Sequence, residues 1–127
     1  MSVRRRLILV VEDDQLLADS LRRLLETSGY DVHEATCGTS ALSYASNHRP
    51  DLVILDLRLP DMSGYEVSRE LRRMCQPWAV PVVMLTGMDR PIDQLRGFAF
   101  GADVYLTKPC EPDELLKTVG TLSGQLF

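Results

Sequence analysis

Three short runs of aliphatic residues constrain the fold of this chain more than any other feature. Residues 7–11, 52–55 and 82–85 are continuously apolar, and each run has the length of a strand. A strand of this kind is covered by other elements on both of its faces, which is typical of parallel sheets. None of the runs is long enough to cross a bilayer as a helix. We therefore expect a parallel sheet that is buried between two layers of helices.

Strand and helix patterns alternate along the whole chain. Leucines at helical spacing predict a helix over 16–25 that ends before Gly29. The alternating segment 30–35 predicts a strand nearer the sheet edge, and 104–106 predicts a last short strand. Further helices are expected over 38–47, 65–74, 92–100 and from 111 onward. Five strands and five helices predict a doubly wound, five-stranded α/β sheet, because parallel neighbours require crossover connections.

The length and charge of the chain limit what it can be. Its 127 residues and 14.3 kDa fit one domain, 1–127, with a core over about 6–122. The chain carries 14 Lys and Arg against 18 Asp and Glu, a net charge of −4. Proteins that bind nucleic acid usually have the opposite balance, because their affinity comes largely from neutralising phosphates. We therefore expect no nucleic-acid partner, and we interpret the basic cluster Arg4, Arg5 and Arg6 as solvated side chains before the first strand.

The N-terminal region and the cysteines indicate a compartment. No apolar signal-peptide segment follows the arginines, because acidic residues begin at Glu12. The three cysteines, Cys37, Cys75 and Cys110, lie far apart, which is typical of reduced thiols and not of a disulfide framework or a zinc site. We expect a cytoplasmic protein with no membrane partner.

Polar residues stand directly at the ends of the predicted strands. Glu12 and Asp13 follow the first apolar run, Asp56 follows the second, and Thr86 and Lys108 end the last two strands. The carboxyl ends of parallel strands meet at one edge of a sheet, where ligands of such folds bind. Carboxylates that lie together repel one another unless a cation intervenes, and Mg²⁺ prefers oxygen ligands of this kind. An ammonium and a hydroxyl suit the oxygens of a phosphoryl group.

Each of these residues also has an ordinary structural interpretation. An acid after a strand often caps the next helix, and we expect Asp14 to cap the helix over 16–25. Asp56 alone fits a turn equally well, Thr86 alone fits a strand, and Lys108 alone fits a solvated side chain. The combination favours a site, because four separate strand ends carry such residues at one edge of the sheet.

The motifs at these positions resemble the receiver domain of two-component response regulators, the family of the chemotaxis response regulator. The likeness rests on VVEDD at 10–14, DLVILD at 51–56 with LPDMSG at 59–64, VMLTG at 83–87, GAD at 101–103 and YLTKP at 105–109. These motifs cover nearly the whole chain in the family's order. The resemblance implies a flavodoxin-like three-layer sandwich with strand order 2-1-3-4-5, an order for which a chemotaxis regulator is a standard example.

The resemblance also assigns metal and phosphoryl chemistry to particular residues. Asp56 matches the phosphoacceptor. Asp13 matches the carboxylate that binds the metal directly, and Glu12 matches its partner, which often acts through water. Arg58 would contribute its backbone carbonyl. The implied metal is Mg²⁺, with Mn²⁺ as a substitute.

Three further residues match the parts of the family that hold the phosphoryl group and report its arrival. Thr86 and Lys108 match the hydroxyl and the ammonium that bind its oxygens. Tyr105 matches the switch aromatic, whose ring turns inward when Thr86 moves toward the phosphate. The surface expected to change is the one formed by the fourth helix, the fifth strand and the fifth helix.

The implied function is to accept a phosphoryl group on Asp56 from the phosphohistidine of a sensor histidine kinase or of a histidine phosphotransfer protein. Such a domain is not a conventional enzyme, although it catalyses its own Mg²⁺-dependent phosphorylation and its own dephosphorylation. The output protein or domain is unknown from the sequence, and a homodimer that forms on phosphorylation is left open.

Other functions fit the residues less well. A flavin binder needs an anion-binding loop after the first strand, but the loop there, residues 12–15, contains three consecutive acids. An aspartate-nucleophile phosphatase commonly has a second acid where Arg58 stands. A docking module that works without phosphorylation is the stronger alternative, and it would be expected to lack one of the essential site residues. Those residues are all present in this chain: Asp13, Asp56, Thr86 and Lys108.

Overall fold

The computed structural model describes residues 4–74 and 80–124, and these form five strands and five helices in the predicted alternation. In chain order the elements are β1 (Leu7–Val11), α1 (Gln15–Thr27), β2 (Asp31–Ala35), α2 (Gly38–Asn47), β3 (Leu52–Leu55), α3 (Gly64–Met74), β4 (Val82–Thr86), α4 (Pro91–Ala99), β5 (Val104–Thr107) and α5 (Pro112–Ser123). Their bounds differ from the sequence prediction by at most two residues. Cys75 lies outside the described residues, while Cys37 and Cys110 are free thiols.

The five strands form one parallel sheet in the order β2-β1-β3-β4-β5. In the register, Val11 lies opposite Leu55 across β1 and β3, and Leu55 lies opposite Met84 across β3 and β4. Thr86 lies opposite Thr107 in β5. The carboxyl ends of the strands therefore meet at one edge of the sheet, and the predicted strand order is confirmed.

Alternate side chains of the central strands enter two separate cores. Ile8 and Val10 of β1 pack with α1 and α5, whereas Leu9 and Val11 belong to a cluster with residues of α2 and α3. All four side chains are almost completely buried. Burial of an aliphatic side chain contributes about 1.5–3 kcal/mol, which explains why the runs at 7–11, 52–55 and 82–85 carry no polar residue. The result is the predicted three-layer sandwich.

In the turn between β1 and α1, one residue, Asp14, caps the helix and is not part of the acidic cluster. The side chain of Asp14 accepts hydrogen bonds from the backbone N–H of Leu16 at 3.1 Å and of Leu17 at 3.3 Å. This confirms the helix cap predicted for Asp14. At the other end of α1, Gly29 has a positive φ of 101°, which glycine adopts without strain. In the described ranges 4–74 and 80–124, no helix has the length and apolar character needed to cross a membrane.

Candidate functional site

Three carboxylates meet at the carboxyl ends of β1 and β3. One oxygen from each of Glu12, Asp13 and Asp56 lies within 4.8 Å of the others. Glu12 is 3% exposed and Asp56 is 7% exposed, whereas Asp13 is open to solvent. The backbone extends the sheet contacts by one residue here, since the N–H of Asp56 donates to the carbonyl of Val11 at 3.1 Å. Adjacent strands thus place these acids together, as the sequence predicts.

Lys108 brings a positive charge to this cluster from the end of β5. Its Nζ donates to Glu12 Oε1 at 2.7 Å and to Asp56 Oδ2 at 2.9 Å. Burial lowers the pKa of the Lys108 ammonium, but the two carboxylates outweigh this effect and raise the pKa above its ordinary value. Burial raises the pKa of the Glu12 carboxyl, against the opposing effect of its hydrogen bond from Lys108. The peptide bond between Lys108 and Pro109 is cis.

The charge and donor atoms of the cluster fit a hard divalent cation. The single positive charge of Lys108 offsets one of the three negative charges of Glu12, Asp13 and Asp56. Two of these carboxylates are buried, where unbalanced negative charge is costly. All three groups offer oxygen atoms, and Mg²⁺ typically binds to one or two carboxylates while it keeps several waters. The residues that the sequence predicts as metal ligands therefore suit Mg²⁺.

The loop after Asp56 folds back on the acid that precedes it. The backbone N–H of Arg58 donates to Asp56 Oδ1 at 3.3 Å, and Arg58 pairs with Ser63 across the loop. The N–H of Gly64 closes the loop by donating to the carbonyl of Leu57 at 3.0 Å. A Cβ at Gly64 would lie 2.3 Å from the carbonyl oxygen of Asp56, so only glycine fits there. This keeps the backbone of Arg58 beside Asp56, while a role for its carbonyl stays a prediction.

The two predicted switch residues contact the same neighbour. Thr86 is completely buried, and its hydroxyl accepts a hydrogen bond from the N–H of Met88 at 3.3 Å. The hydroxyl of Tyr105 donates to the carbonyl of Met88 at 2.6 Å. Burial raises the pKa of Tyr105 to about 12. Its ring packs against α4 at Gly97, where a Cβ would lie 2.7 Å from a ring carbon. Sequence reasoning missed Met88, because its contacts use the main chain and leave no signal in residue type.

An apolar cavity of about 430 Å³ lies beside the acidic cluster, between α1 and the start of α5. Its wall includes Leu17, Leu21, Leu24, Leu115 and the stem of Lys108. Leu16, on the same helix, has 82% of its surface exposed. The helical spacing of the α1 leucines predicts the helix, but it does not by itself distinguish a buried face from the wall of an open cavity.

Cys110 lies in the wall of this cavity, and its surroundings make the thiol unreactive. Its Sγ lies 3.3 Å from a carboxylate oxygen of Glu114. Burial, together with this acid, raises the pKa of the thiol to about 11. The thiol is therefore protonated near neutral pH, and thiolates, not thiols, are the reactive form of cysteine.

The sequence and the fold match one family of proteins. Residues 8–120 match the model of the response regulator receiver domain. The chain is 41% identical over 115 residues to the DNA-binding dual master transcriptional regulator RpaA of Synechocystis, covering 91% of this chain and 48% of RpaA. It is 44% identical over 108 residues to the alkaline phosphatase synthesis transcriptional regulatory protein PhoP of Bacillus subtilis, covering 85% of this chain and 44% of PhoP. The chain thus spans about half the length of these curated relatives.

A solved structure supports the same assignment and the interpretation of the acidic cluster. The crystal structure of the receiver domain of sensor histidine kinase PA1611 from Pseudomonas aeruginosa has a TM-score of 0.87 to this chain at 30% identity. The match covers 95% of this chain and 99% of that domain, which holds a magnesium ion coordinated in its active site cleft. By family model, relatives and fold together, this chain belongs to the response regulator receiver domains.

Proposed function

We propose that Asp56 is the residue that receives a phosphoryl group from a phosphohistidine in a partner protein. One observation carries the proposal: the nearly buried Asp56 carboxylate lies within 4.8 Å of two more carboxylates, with the Lys108 ammonium 2.9 Å from one of its oxygens. A carboxylate in this setting is an available nucleophile, since Arg58 N–H and Lys108 each bind one oxygen and leave the remaining lone pairs open.

The residues proposed to hold the metal are Glu12, Asp13, Asp56 and the backbone carbonyl of Arg58. Bound Mg²⁺, or Mn²⁺ in its place, would supply positive charge to the oxygens of the transferring phosphoryl group. Asp13 is the exposed member of the cluster, so it is the first carboxylate that an arriving cation meets. Glu12 is buried and accepts a hydrogen bond from Lys108.

The chain's own residues then carry the transfer. An oxygen of Asp56 attacks phosphorus, a P–O bond forms, and the P–N bond to the donor imidazole breaks with its electron pair returning to nitrogen. Lys108 moves with the negative charge, from Asp56 alone to the phosphoryl oxygens beside it. The Thr86 hydroxyl, which accepts a hydrogen bond from the Met88 N–H in this structure, moves to donate one to a phosphoryl oxygen. Water later attacks phosphorus, which releases inorganic phosphate and restores the Asp56 carboxylate. Most of the rate enhancement comes from position and electrostatics.

The donor is proposed to dock over the apolar cavity, next to Lys108. Lys108 lines this cavity and also binds the nearly buried Asp56, so a donor imidazole placed there is brought close to the acceptor. Leucines of α1 line the same cavity, and Leu16 on that helix is exposed to solvent. A helix that carries the phosphohistidine and an apolar face fits this surface. The partner class is a sensor histidine kinase or a histidine phosphotransfer protein.

The output face is proposed to be α4, β5 and α5. Three large apolar side chains of α4 are well exposed: Ile92, Leu95 and Phe98, at 45%, 65% and 49%. Movement of Thr86 toward a phosphoryl group would break its bond to Met88, the residue that also binds Tyr105 and leads into α4. The state of the site would thereby reach a surface suited to an output protein or domain, or to a second phosphorylated copy.

Incubation with acetyl phosphate and Mg²⁺, followed by intact-mass spectrometry, tests the proposal. We expect the mass of one phosphoryl group on the wild-type chain and none on Asp56→Asn, which keeps the size of the side chain. EDTA should abolish the adduct. No adduct on the wild-type chain, or one that survives Asp56→Asn, would overturn the proposal and favour a docking module that works without phosphorylation.

A further inference from the structure

Asp61 caps a helix to which it does not belong. It lies in the loop between β3 and α3, and its carboxylate accepts hydrogen bonds from the N-terminus of α2. Oδ1 binds the N–H of Gly38 at 2.8 Å, and Oδ2 binds the N–H and the hydroxyl of Thr39 at 2.8 and 2.6 Å. The residue at the cap position itself, Cys37, makes no side-chain cap bond. Asp61 therefore supplies, from 22 residues away, hydrogen bonds that the first turn of α2 lacks.

The next residue strengthens this connection by close packing. A Cβ at Gly38 would lie 2.3 Å from Cγ of Met62, so the Met62 side chain rests directly on the backbone of α2. Met62 also packs against the core between the sheet and α2. The tip of the β3–α3 loop is thus fixed to α2 by polar and apolar contacts together.

Both segments joined by Asp61 lead to the acidic cluster. The β3–α3 loop begins at Asp56, and its Arg58 N–H binds the Asp56 carboxylate at 3.3 Å. The segment before α2 contains Ala35, whose carbonyl accepts a hydrogen bond from the backbone N–H of Glu12 at 3.0 Å. A displacement of the loop tip from α2 therefore changes the backbone that positions Asp56 relative to Glu12.

We infer that Asp61 is a positioning residue for phosphoryl transfer, because it fixes the segment 56–58 against the β2–α2 connection and so sets the spacing of the metal-binding oxygens. The inference rests on the proposed function. Hydrogen bonds from Thr39 and Gly38 hold the pKa of the Asp61 carboxyl well below its ordinary value, so the anchor stays ionised at neutral pH. An ionised carboxylate also interacts favourably with the helix dipole.

The test measures Mg²⁺ affinity and not only stability. Mg²⁺ is titrated into the 127-residue chain, and amide shifts in two-dimensional NMR spectra give the dissociation constant. We expect Asp61→Ala to weaken Mg²⁺ binding roughly tenfold, the loss typical of residues that orient metal ligands. Asp61→Asn keeps one acceptor oxygen and should recover part of the affinity. Thr39→Val, which removes one of the three bonds, should weaken binding less and provides a reading if Asp61→Ala does not fold.

Asp51→Ala is the matched control. Asp51 also binds a backbone N–H, that of Leu7 at 2.7 Å, but it lies before β3 at the opposite end of the strand. We expect this variant to lower the melting temperature and to leave the Mg²⁺ dissociation constant within about twofold, since it lies outside the set of residues that orient ligands. If Asp61→Ala and Thr39→Val, like the control, lower the melting temperature and leave the Mg²⁺ dissociation constant within about twofold, Asp61 is a structural cap and the inference is wrong. A wild-type chain without a Mg²⁺-dependent phosphoryl adduct instead overturns the proposed function, and the inference with it.

Discussion

The two ends of the sheet carry charges in opposite proportions. At the amino ends of β1, β2 and β3, three guanidinium groups meet two carboxylates: Arg4 pairs with Asp51 at 2.9 Å, Arg5 pairs with Asp31 at 3.1 Å, and Arg6 reaches Asp51 at 4.0 Å. The two carboxylates there are therefore matched by at least one cation each. The basic cluster that the sequence leaves as solvated side chains is a set of ion pairs.

The carboxyl end has the reverse arrangement. Three carboxylates lie together there, and the ammonium of Lys108 pairs with the two that are buried, Glu12 and Asp56. A buried group of like charges does not stabilise a fold, because the loss of hydration exceeds what one ion pair returns. At the amino end the carboxylates are balanced by ion pairs. The carboxyl end keeps an excess of negative charge, which suits a bound cation and, beside it, a phosphoryl group. The excess identifies the functional end.

The largest expected effect comes from removing the one ammonium at the carboxyl end. Lys108→Met leaves Glu12 and Asp56 without their ion-pair partner, and we expect the free energy of unfolding to fall by about 2 kcal/mol, less than for a fully buried pair. Lys108 is 26% exposed, which supports the lower value. Urea denaturation measures the loss, and added Mg²⁺ should restore part of it. Arg4→Ala at the amino end is the control, with a much smaller loss expected because this pair is exposed to solvent. Equal losses at the two ends would remove the contrast.

A smaller effect of opposite sign is expected at the same cluster. Asp13→Asn removes one negative charge, so repulsion falls and the metal-free protein should gain about 1 kcal/mol in unfolding free energy. Mg²⁺ affinity should fall at least tenfold, measured by titration with NMR detection. Asp31→Asn, which alters an exposed acid of the amino end, should change neither quantity in this direction. A metal-free Asp13→Asn protein no more stable than wild type would show that the three carboxylates do not repel one another.

The unfolding free energy also depends on pH through a third region, the aromatic stack around His33. On β2, the ring of His33 stacks on Tyr44 at 3.7 Å, and Tyr44 stacks on His48 at 4.1 Å. Burial lowers the pKa of His33 below 6.5, with His48 and Arg22 acting in the same direction. As the pH falls, the unfolded chain therefore binds a proton at His33 before the folded protein does. The stability that the neutral His33 ring contributes is present above pH 6.5 and is lost as the pH falls below it.

We expect His33→Gln to flatten the decline in unfolding free energy between about pH 7.5 and 5.5, by under about 0.5 kcal/mol because the ring is partly solvated. Urea denaturation at a series of pH values measures this change. A profile that His33→Gln leaves unaltered would assign the decline to other groups, and His48→Gln is the matched variant for the outer ring of the stack.

The sequence predicts the fold well because burial on two faces leaves a local record. The runs at 7–11, 52–55 and 82–85 require two covering layers, and Asp13 and Asp56 follow from where those runs end. Asp14 as a helix cap is equally local, since donor and acceptor lie within three residues. The position of these residues at the ends of parallel strands is therefore predictable from local patterns, whereas the strand order 2-1-3-4-5 was implied by the family resemblance.

Side-chain partners that lie far apart in the sequence were not predictable. The bond between Glu12 and Lys108 spans 96 residues, and no periodicity records it. Asp61 stands within the motif LPDMSG, and its residue type does not indicate its partner Thr39, which belongs to another element. Such contacts depend on how loops pack after the sheet has formed.

Met88 receives Thr86 at its N–H and Tyr105 at its C=O. The two side chains therefore bind opposite sides of the backbone of one residue. A rotation of this backbone changes both hydrogen bonds at once, and neither bond involves the thioether side chain. Chemical variety at position 88 is thus compatible with the linkage, with proline as the exception, because its nitrogen carries no hydrogen to donate.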